Sequence, residues 1–231
     1  MRKLSFLAVT AIVMMGIAFT SCDSGKSVSL KTDVDSVSYL IGSNWGYQMK
    51  NAPDIDFNVA AVIDGIKKAS KGDSIFLGMD LQAASMYIQN YFQGAQIRAA
   101  EGTKAEADKF LAENKTKSGV ITTESGLQYK VVTEGTGPKP VATDMVRVHY
   151  QLSSFDGVMI ESSIERGEPA EFPLNRVIPG WTEALQLMPV GSKYILWISP
   201  ELGYGMNPPT PAIKPNAGLL FEVELLEIVK Q

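Results

Sequence analysis

The strongest constraint on this chain is its C-terminal run from Val146 to Val229, which is rich in branched and aromatic residues. Apolar and polar residues alternate from Val146 to Leu152, which is the period of a half-buried strand. Further strands are predicted at 127–133, 194–198 and 219–229, and Asp156-Gly157 is typical of a hairpin turn. Only Pro179 to Met188 has a helical pattern, which ends at Pro189. The run therefore predicts an α+β domain, with antiparallel strands around one short helix.

Apart from scattered carboxylates and His149, the same run carries almost no group that could act as an acid, a base, a nucleophile or a metal ligand. The chain has one Cys and one His, which cannot form an internal disulfide or a tetrahedral zinc site. His149 alternates with apolar strand residues, so we expect a structural or solvated side chain. A net charge of −4 without a Lys/Arg cluster argues against nucleic acid as a partner. We therefore expect a site that works by shape and apolar contact, without a metal or cofactor.

The N-terminus has the pattern of an export signal. Arg2 and Lys3 precede an apolar stretch, and small residues then lead to Cys22. This pattern predicts a signal peptide over 1–21, with an uncut anchor or a buried N-terminal helix as the alternative. Small residues before a Cys also resemble a bacterial lipobox, which predicts lipidation of Cys22 and a membrane anchor. Residues 22–32 are then a flexible tether.

The segment 33–120 is predicted to be helical. Apolar residues recur at three- and four-residue steps after Asp33, Asn58 can cap a second helix, and a third is predicted from Asp80 to Asn114. Three helices with apolar stripes and a long polar extension cannot bury everything in one small bundle. A homodimer would cover the stripes, and a monomeric bundle packed on the following domain, 121–231, is the alternative.

Several motifs together resemble a known family. VIPGW at 177–181, SPELGYG at 199–205 and LLFEVELLEI at 219–228 are similar to the FKBP-type peptidyl-prolyl isomerase domain. The helical segment, with YLIGSNWGYQM at 39–49, is similar to the N-terminal dimerisation region of the Mip-like branch (macrophage infectivity potentiator). Signal peptide, helical domain and isomerase domain occur in that order in the branch.

The resemblance implies a half-open sheet around a short helix, with a proline pocket between them and non-covalent catalysis. It assigns Trp181 to the pocket floor, Tyr204 to a hydrogen bond with a substrate carbonyl, and Glu161 to a polar contact. It implies substrate contacts for a larger apolar set: Tyr150, Ile160, Phe172, Val177, Ile178, Ile213 and Phe221. The expected partners are proline-containing unfolded or exported polypeptides, and the expected location is the periplasm or outer membrane.

The chain departs from the family pattern at a few positions. Ile160-Glu161 stands where Phe-Asp is usual, Ala170 where an aromatic residue is common, and Ala212 where Ile is common. These changes predict a wider and less aromatic pocket, and they put the catalytic rate in question. A dimeric holdase with slow or no turnover is therefore the alternative function, and a surface adhesion protein rests only on analogy with the branch.

Overall fold

A computed structural model of the protein describes residues 28–73 and 77–229. The predicted signal peptide, the lipidation site Cys22 and the first part of the tether lie outside these residues. The described residues divide into two compact units, one up to Gln48 and one from Met49 onward.

Within the described residues, three helices occupy the N-terminal half: α1 (Asp33–Lys50), α2 (Val59–Ala69) and α3 (Leu81–Asn114). The carboxamide oxygen of Asn58 accepts a 3.1 Å hydrogen bond from the N–H of Ala61, which confirms the predicted cap of α2. Asp80 caps α3 in the same way, at 2.7 Å from the N–H of Ala83. None of the helices in the described ranges combines the length and apolar character that a membrane crossing requires.

The C-terminal domain is one antiparallel sheet with a short helix, which confirms the predicted α+β class. The strands are β1 (Ile121–Thr122), β2 (Gln128–Thr133), β3 (Met145–Ser154), β4 (Met159–Ser162), β5 (Ala170–Pro173), β6 (Lys193–Ile198) and β7 (Leu219–Val229). Their order is β1-β2-β6-β7-β3-β4, and β5 also pairs with β3. Gly157 has a φ of 86° in the hairpin between β3 and β4, as the Asp-Gly signal predicts.

Helix α4 (Pro179–Leu187) packs on the buried face of this sheet. Gly180 permits the close approach, because a Cβ at this position would lie 2.7 Å from Cγ2 of Ile198. Trp181 follows directly and is 4% exposed. The core around it contains alternate residues of β3, β6 and β7, which is the two-residue period of a strand with one buried face.

The C-terminal half of α3 packs against the sheet domain. The amide nitrogen of Asn114 donates a 2.9 Å hydrogen bond to the side-chain oxygen of Gln128. Gln128 in turn donates a 2.8 Å bond to the carbonyl of Leu111, so this buried polar pair is satisfied. Nearer the middle of the helix, the rings of Phe110 and Phe155 stack with centroids 4.3 Å apart. Helix α3 therefore packs as part of the C-terminal domain, in addition to connecting it to the preceding helices.

Candidate active site

A hollow of about 520 Å³ opens between α4 and the sheet. Strand β3 contributes residues of its buried face, β4 and β5 contribute one wall, and the turn into α4 contributes another. Its lining consists of Tyr150, Leu152, Glu161, Phe172, Arg176, Val177, Ile178, Trp181, Tyr204 and Phe221. Size and apolar lining with a few polar groups are typical of a site for a small ligand or a single side chain.

Trp181 forms the floor of this hollow. Three rings meet its indole edge to face: Tyr150 and Phe172, each with centroids 5.4 Å away, and Phe221 at 5.2 Å. Aromatic pairs in this geometry add about 0.5–1.5 kcal/mol each beyond their buried area. The indole N–H is buried and has no hydrogen-bond partner within the described part of the chain. The floor is thus held by ring packing rather than by polar contacts.

Glu161 is fixed on the wall by two donors. The hydroxyl of Tyr150 lies 2.7 Å and Nη1 of Arg166 lies 2.6 Å from the same carboxylate oxygen, Oε1. Burial, followed by the hydrogen bond to Glu161, raises the pKa of the Tyr150 hydroxyl. Hydrogen bonds to Tyr150 and Glu161 raise the pKa of Arg166. This arrangement holds the Glu161 carboxylate in place on the wall of a mainly apolar cavity.

Tyr204 follows a short 3-10 turn, Pro200–Leu202, and is half-buried. Burial and the nearby charge of Glu161 raise the pKa of its hydroxyl, so the group stays protonated at neutral pH. No residue in the described ranges accepts a hydrogen bond from this hydroxyl. Tyr204 therefore offers an unused donor to whatever occupies the hollow.

The structure brings together eight of the ten residues that the family resemblance assigns to the site. The other two, Ile160 and Ile213, line a second cavity of about 550 Å³ between α3 and the loop before β7. Successive residues of a strand point to opposite sides, so Ile160 faces away from the cavity that its neighbour Glu161 lines. Ile213 is 5% exposed and packs into the core.

Two lining residues were missed by the sequence analysis. Leu152 lies two positions after Tyr150 on β3, so the strand period alone could have assigned it to the same face. Arg176 is an exposed residue of the 3-10 turn Leu174–Arg176, and no sequence signal distinguishes it. His149 has the structural role expected, since its Nδ1 lies 3.1 Å from the hydroxyl of Ser163.

Comparison with known families identifies both halves of the chain. The family described as FKBP-type peptidyl-prolyl cis-trans isomerase matches residues 137–226. The family described as the domain amino terminal to FKBP-type peptidyl-prolyl isomerase matches residues 34–131. The second match includes the long helix and the first strands, so the two matches together span most of the chain.

Individual relatives agree with this result. The FKBP-type 22 kDa peptidyl-prolyl cis-trans isomerase of Escherichia coli is 44% identical over 193 residues, which are 83% of this chain and 94% of that one. The outer membrane protein MIP of Legionella longbeachae is 37% identical over 96% of this chain and 97% of its own. The crystal structure of FkpA from Escherichia coli superposes with a TM-score of 0.67 at 32% identity, covering 87% of this chain and 98% of that chain.

Proposed function

Because the chain belongs to the FKBP-type peptidyl-prolyl cis-trans isomerase family, we propose that the hollow floored by Trp181 is its proline-binding and catalytic site. The chain is a peptidyl-prolyl isomerase, and its substrates are proline-containing polypeptides. The site assignment depends on one observation: the indole of Trp181 is in edge-to-face contact with three rings at the base of an open cavity. A prolyl ring would lie on that floor.

The reaction needs no covalent step. The barrier to rotation of a peptide bond is about 18–20 kcal/mol, because the planar form is stabilised by resonance. As the bond twists, its resonance is lost and its carbonyl carries less negative charge. An apolar cavity favours this less polar state over the planar one, which is differential binding of the transition state. Apolar rings can therefore accelerate the exchange of an Xaa-Pro bond.

Two polar groups would orient the bound substrate. The protonated hydroxyl of Tyr204 donates a hydrogen bond to a substrate carbonyl and so fixes the chain on one side of the twisting bond. Glu161 already accepts hydrogen bonds from Tyr150 and Arg166, so its carboxylate is held in one position near the imide.

Indole NMR tests the site assignment directly. The chain has three tryptophans, Trp45, Trp181 and Trp197, and only Trp181 lines the hollow. Titration of the ¹⁵N-labelled protein with a short Xaa-Pro peptide should shift the Trp181 indole resonance. The resonances of Trp45 and Trp197 serve as internal controls and should stay in place. A peptide that shifts the control indoles and leaves Trp181 unchanged would refute the assignment.

Homodimer formation through the N-terminal helices is the second part of the proposal. Helix α1 has no buried residue, and Trp45 is 49% exposed. Helix α3 exposes a further apolar group near its N-terminus: Leu81, Met86, Tyr87, Ile88 and Tyr91. Groups of exposed apolar side chains on a helix are typical of surfaces that another protein covers. The match to the family described as amino terminal to the isomerase supports a second copy of this chain as that protein.

Light scattering after size exclusion tests the dimer. Ile88→Glu places a charge within the exposed apolar group, so we expect it to convert a dimer into a monomer. Gln89→Glu places the same charge at the neighbouring exposed polar position of α3 and should leave the mass unchanged. A wild-type protein with the mass of a monomer at micromolar concentration would contradict the proposal.

Export and lipid anchoring form the third part. The basic residues, apolar stretch and small residues before Cys22 support a cleaved lipoprotein signal. The name of the Legionella longbeachae relative, outer membrane protein MIP, is consistent with an exported location. Labelling of cells with a radioactive fatty acid should mark the wild-type protein and not Cys22→Ser. Equal labelling of both would exclude lipidation at Cys22.

A further inference from the structure

One turn of α3 contacts the segment that carries Tyr204. The ammonium group of Lys104 forms an ion pair with the carboxylate of Glu201, in the 3-10 turn just before Tyr204. Lys104 also reaches Asp108, four residues further along α3, at 3.2 Å. The hydrogen bond to Glu201 is the main cause of a raised pKa of Lys104, and the same bond lowers the pKa of Glu201.

Asn216 provides a second connection on the other side of Tyr204. Its backbone N–H donates a 2.7 Å hydrogen bond to the carbonyl of Gly205, the residue that follows Tyr204. Its side-chain amide lies 3.4 Å from the carbonyl of Ala100, which is buried in α3. Asn216 has a φ of 57°, in the left-handed region that Asn tolerates better than most residues. One residue thus joins the Tyr204 segment to the helix.

We infer that Lys104 and Asn216 are positioning residues of the isomerase site, which hold the Tyr204 hydroxyl in place through Glu201 and Gly205. This inference rests on the proposed role of Tyr204 as a donor to the substrate. In this arrangement helix α3, which belongs to the helical N-terminal segment, supports the site, although none of its residues lines the hollow.

The contacts of Glu201 and Asn216 with α3 predict that their loss changes kcat and leaves KM unchanged. A catalytic donor has to be held within about 0.5 Å of its productive position. Tyr204 lies between Glu201 and Gly205, so loss of the contacts that Glu201 and Asn216 make with α3 would loosen the hydroxyl. The floor under the prolyl ring would be unaffected, because Trp181 is held by α4 and three rings. Substrate affinity should therefore persist while turnover falls.

The test uses the full mature chain and single substitutions at both connections. Glu201→Gln removes the charge and keeps the size of the side chain. Asn216→Gly permits the left-handed backbone and its hydrogen bond to Gly205 and removes the side chain with its amide. The matched control is Glu168→Gln, at an exposed loop position of the same domain. Each change is made in the wild-type chain and in a Tyr204→Phe chain.

We expect each substitution to lower kcat by about three- to fivefold with an unchanged KM, as suits a largely exposed ion pair and one side-chain hydrogen bond. In the Tyr204→Phe chain the same substitutions should have no further effect, because the hydroxyl they position is gone. Glu168→Gln should match wild type in both chains.

Two results would overturn the inference. Equal losses in both chains would show a general structural effect, and an unchanged wild-type kcat would show that the contacts do not matter. Failure of the proposed donor role has a different signature, since Tyr204→Phe would then itself be as active as wild type.

Discussion

The hydroxyl of Tyr150 donates a 2.7 Å hydrogen bond to the carboxylate of Glu161 at the wall of the hollow that we propose as the proline pocket. Both residues line the hollow, and Tyr150 also meets the floor indole edge to face. The charged wall and the apolar floor are therefore joined through one side chain. Because Arg166 donates to the same carboxylate oxygen, Glu161 is held in one orientation.

The hydrogen bond between Tyr150 and Glu161 predicts that Glu161→Gln has a modest effect on kcat/KM, and that this effect does not depend on pH. An amide can still accept from Tyr150, so we expect kcat/KM to fall only about three- to tenfold. The shape of the pH profile between about pH 6 and 9 should not change, whereas loss of a general acid or base typically costs about 10²–10⁴-fold. Glu165→Gln, at an exposed position nearby, is the control and should retain wild-type kcat/KM.

Alkaline unfolding tests the environment of the tyrosines. Burial raises the pKa of the Tyr150, Tyr194 and Tyr204 hydroxyls in the folded protein. Their unfolded pKa is about 10, so the unfolded chain loses these protons first as the pH rises. Their contribution to stability is complete below about pH 10 and is lost as the pH rises through the folded pKa values.

Urea unfolding at a series of pH values measures this effect. The free energy of unfolding should fall with increasing pH above about pH 10, and less steeply in Tyr194→Phe, which has lost one of the three hydroxyls. A free energy of unfolding that is flat with pH in this range would show that the hydroxyls are not buried as described.

A pair of Gly-to-Ala substitutions tests the packing that places Trp181. Gly180→Ala puts a methyl group 2.7 Å from the buried side chain of Ile198, so we expect a loss of about 1–3 kcal/mol in the free energy of unfolding. Gly102→Ala is the matched control, because Gly102 lies within α3 and has open space around its Cβ position. It should raise the free energy of unfolding by up to about 1 kcal/mol. Destabilisation by both would contradict the described packing.

The fold was predictable where a periodic signal is long or a cap is distinctive. Asn58 and Asp80 mark the beginnings of their helices because short polar side chains accept from free N–H groups. The alternation along β3 identified its buried face. The short strands β1 and β5 carry too few residues for a period to be visible, and their existence depends on pairing with β2 and β3.

The site was predictable only in part, because contacts between residues that are distant in sequence leave no local pattern. Motif resemblance located Trp181 and Tyr204, and the structure brings both to one hollow. It also suggested Ile160 and Ile213 as pocket residues, and these line the second cavity. Phe110 and Thr103 of α3 line that cavity as well, and the packing of a helix on a distant loop cannot be derived from local sequence. For the same reason the contacts of Lys104 and Asn216 became visible only in the folded chain.

We propose that the ring-lined floor accelerates the exchange of the Xaa-Pro bond by favouring its twisted form. The most direct test measures kcat/KM for the cis-to-trans conversion of a short Xaa-Pro peptide, with wild type and Trp181→Leu, each confirmed as folded by circular dichroism. We predict clear acceleration by wild type and a loss of about tenfold or more in Trp181→Leu. Equal kcat/KM values for the two proteins, or a wild type that suppresses client aggregation without accelerating the exchange, would contradict the account.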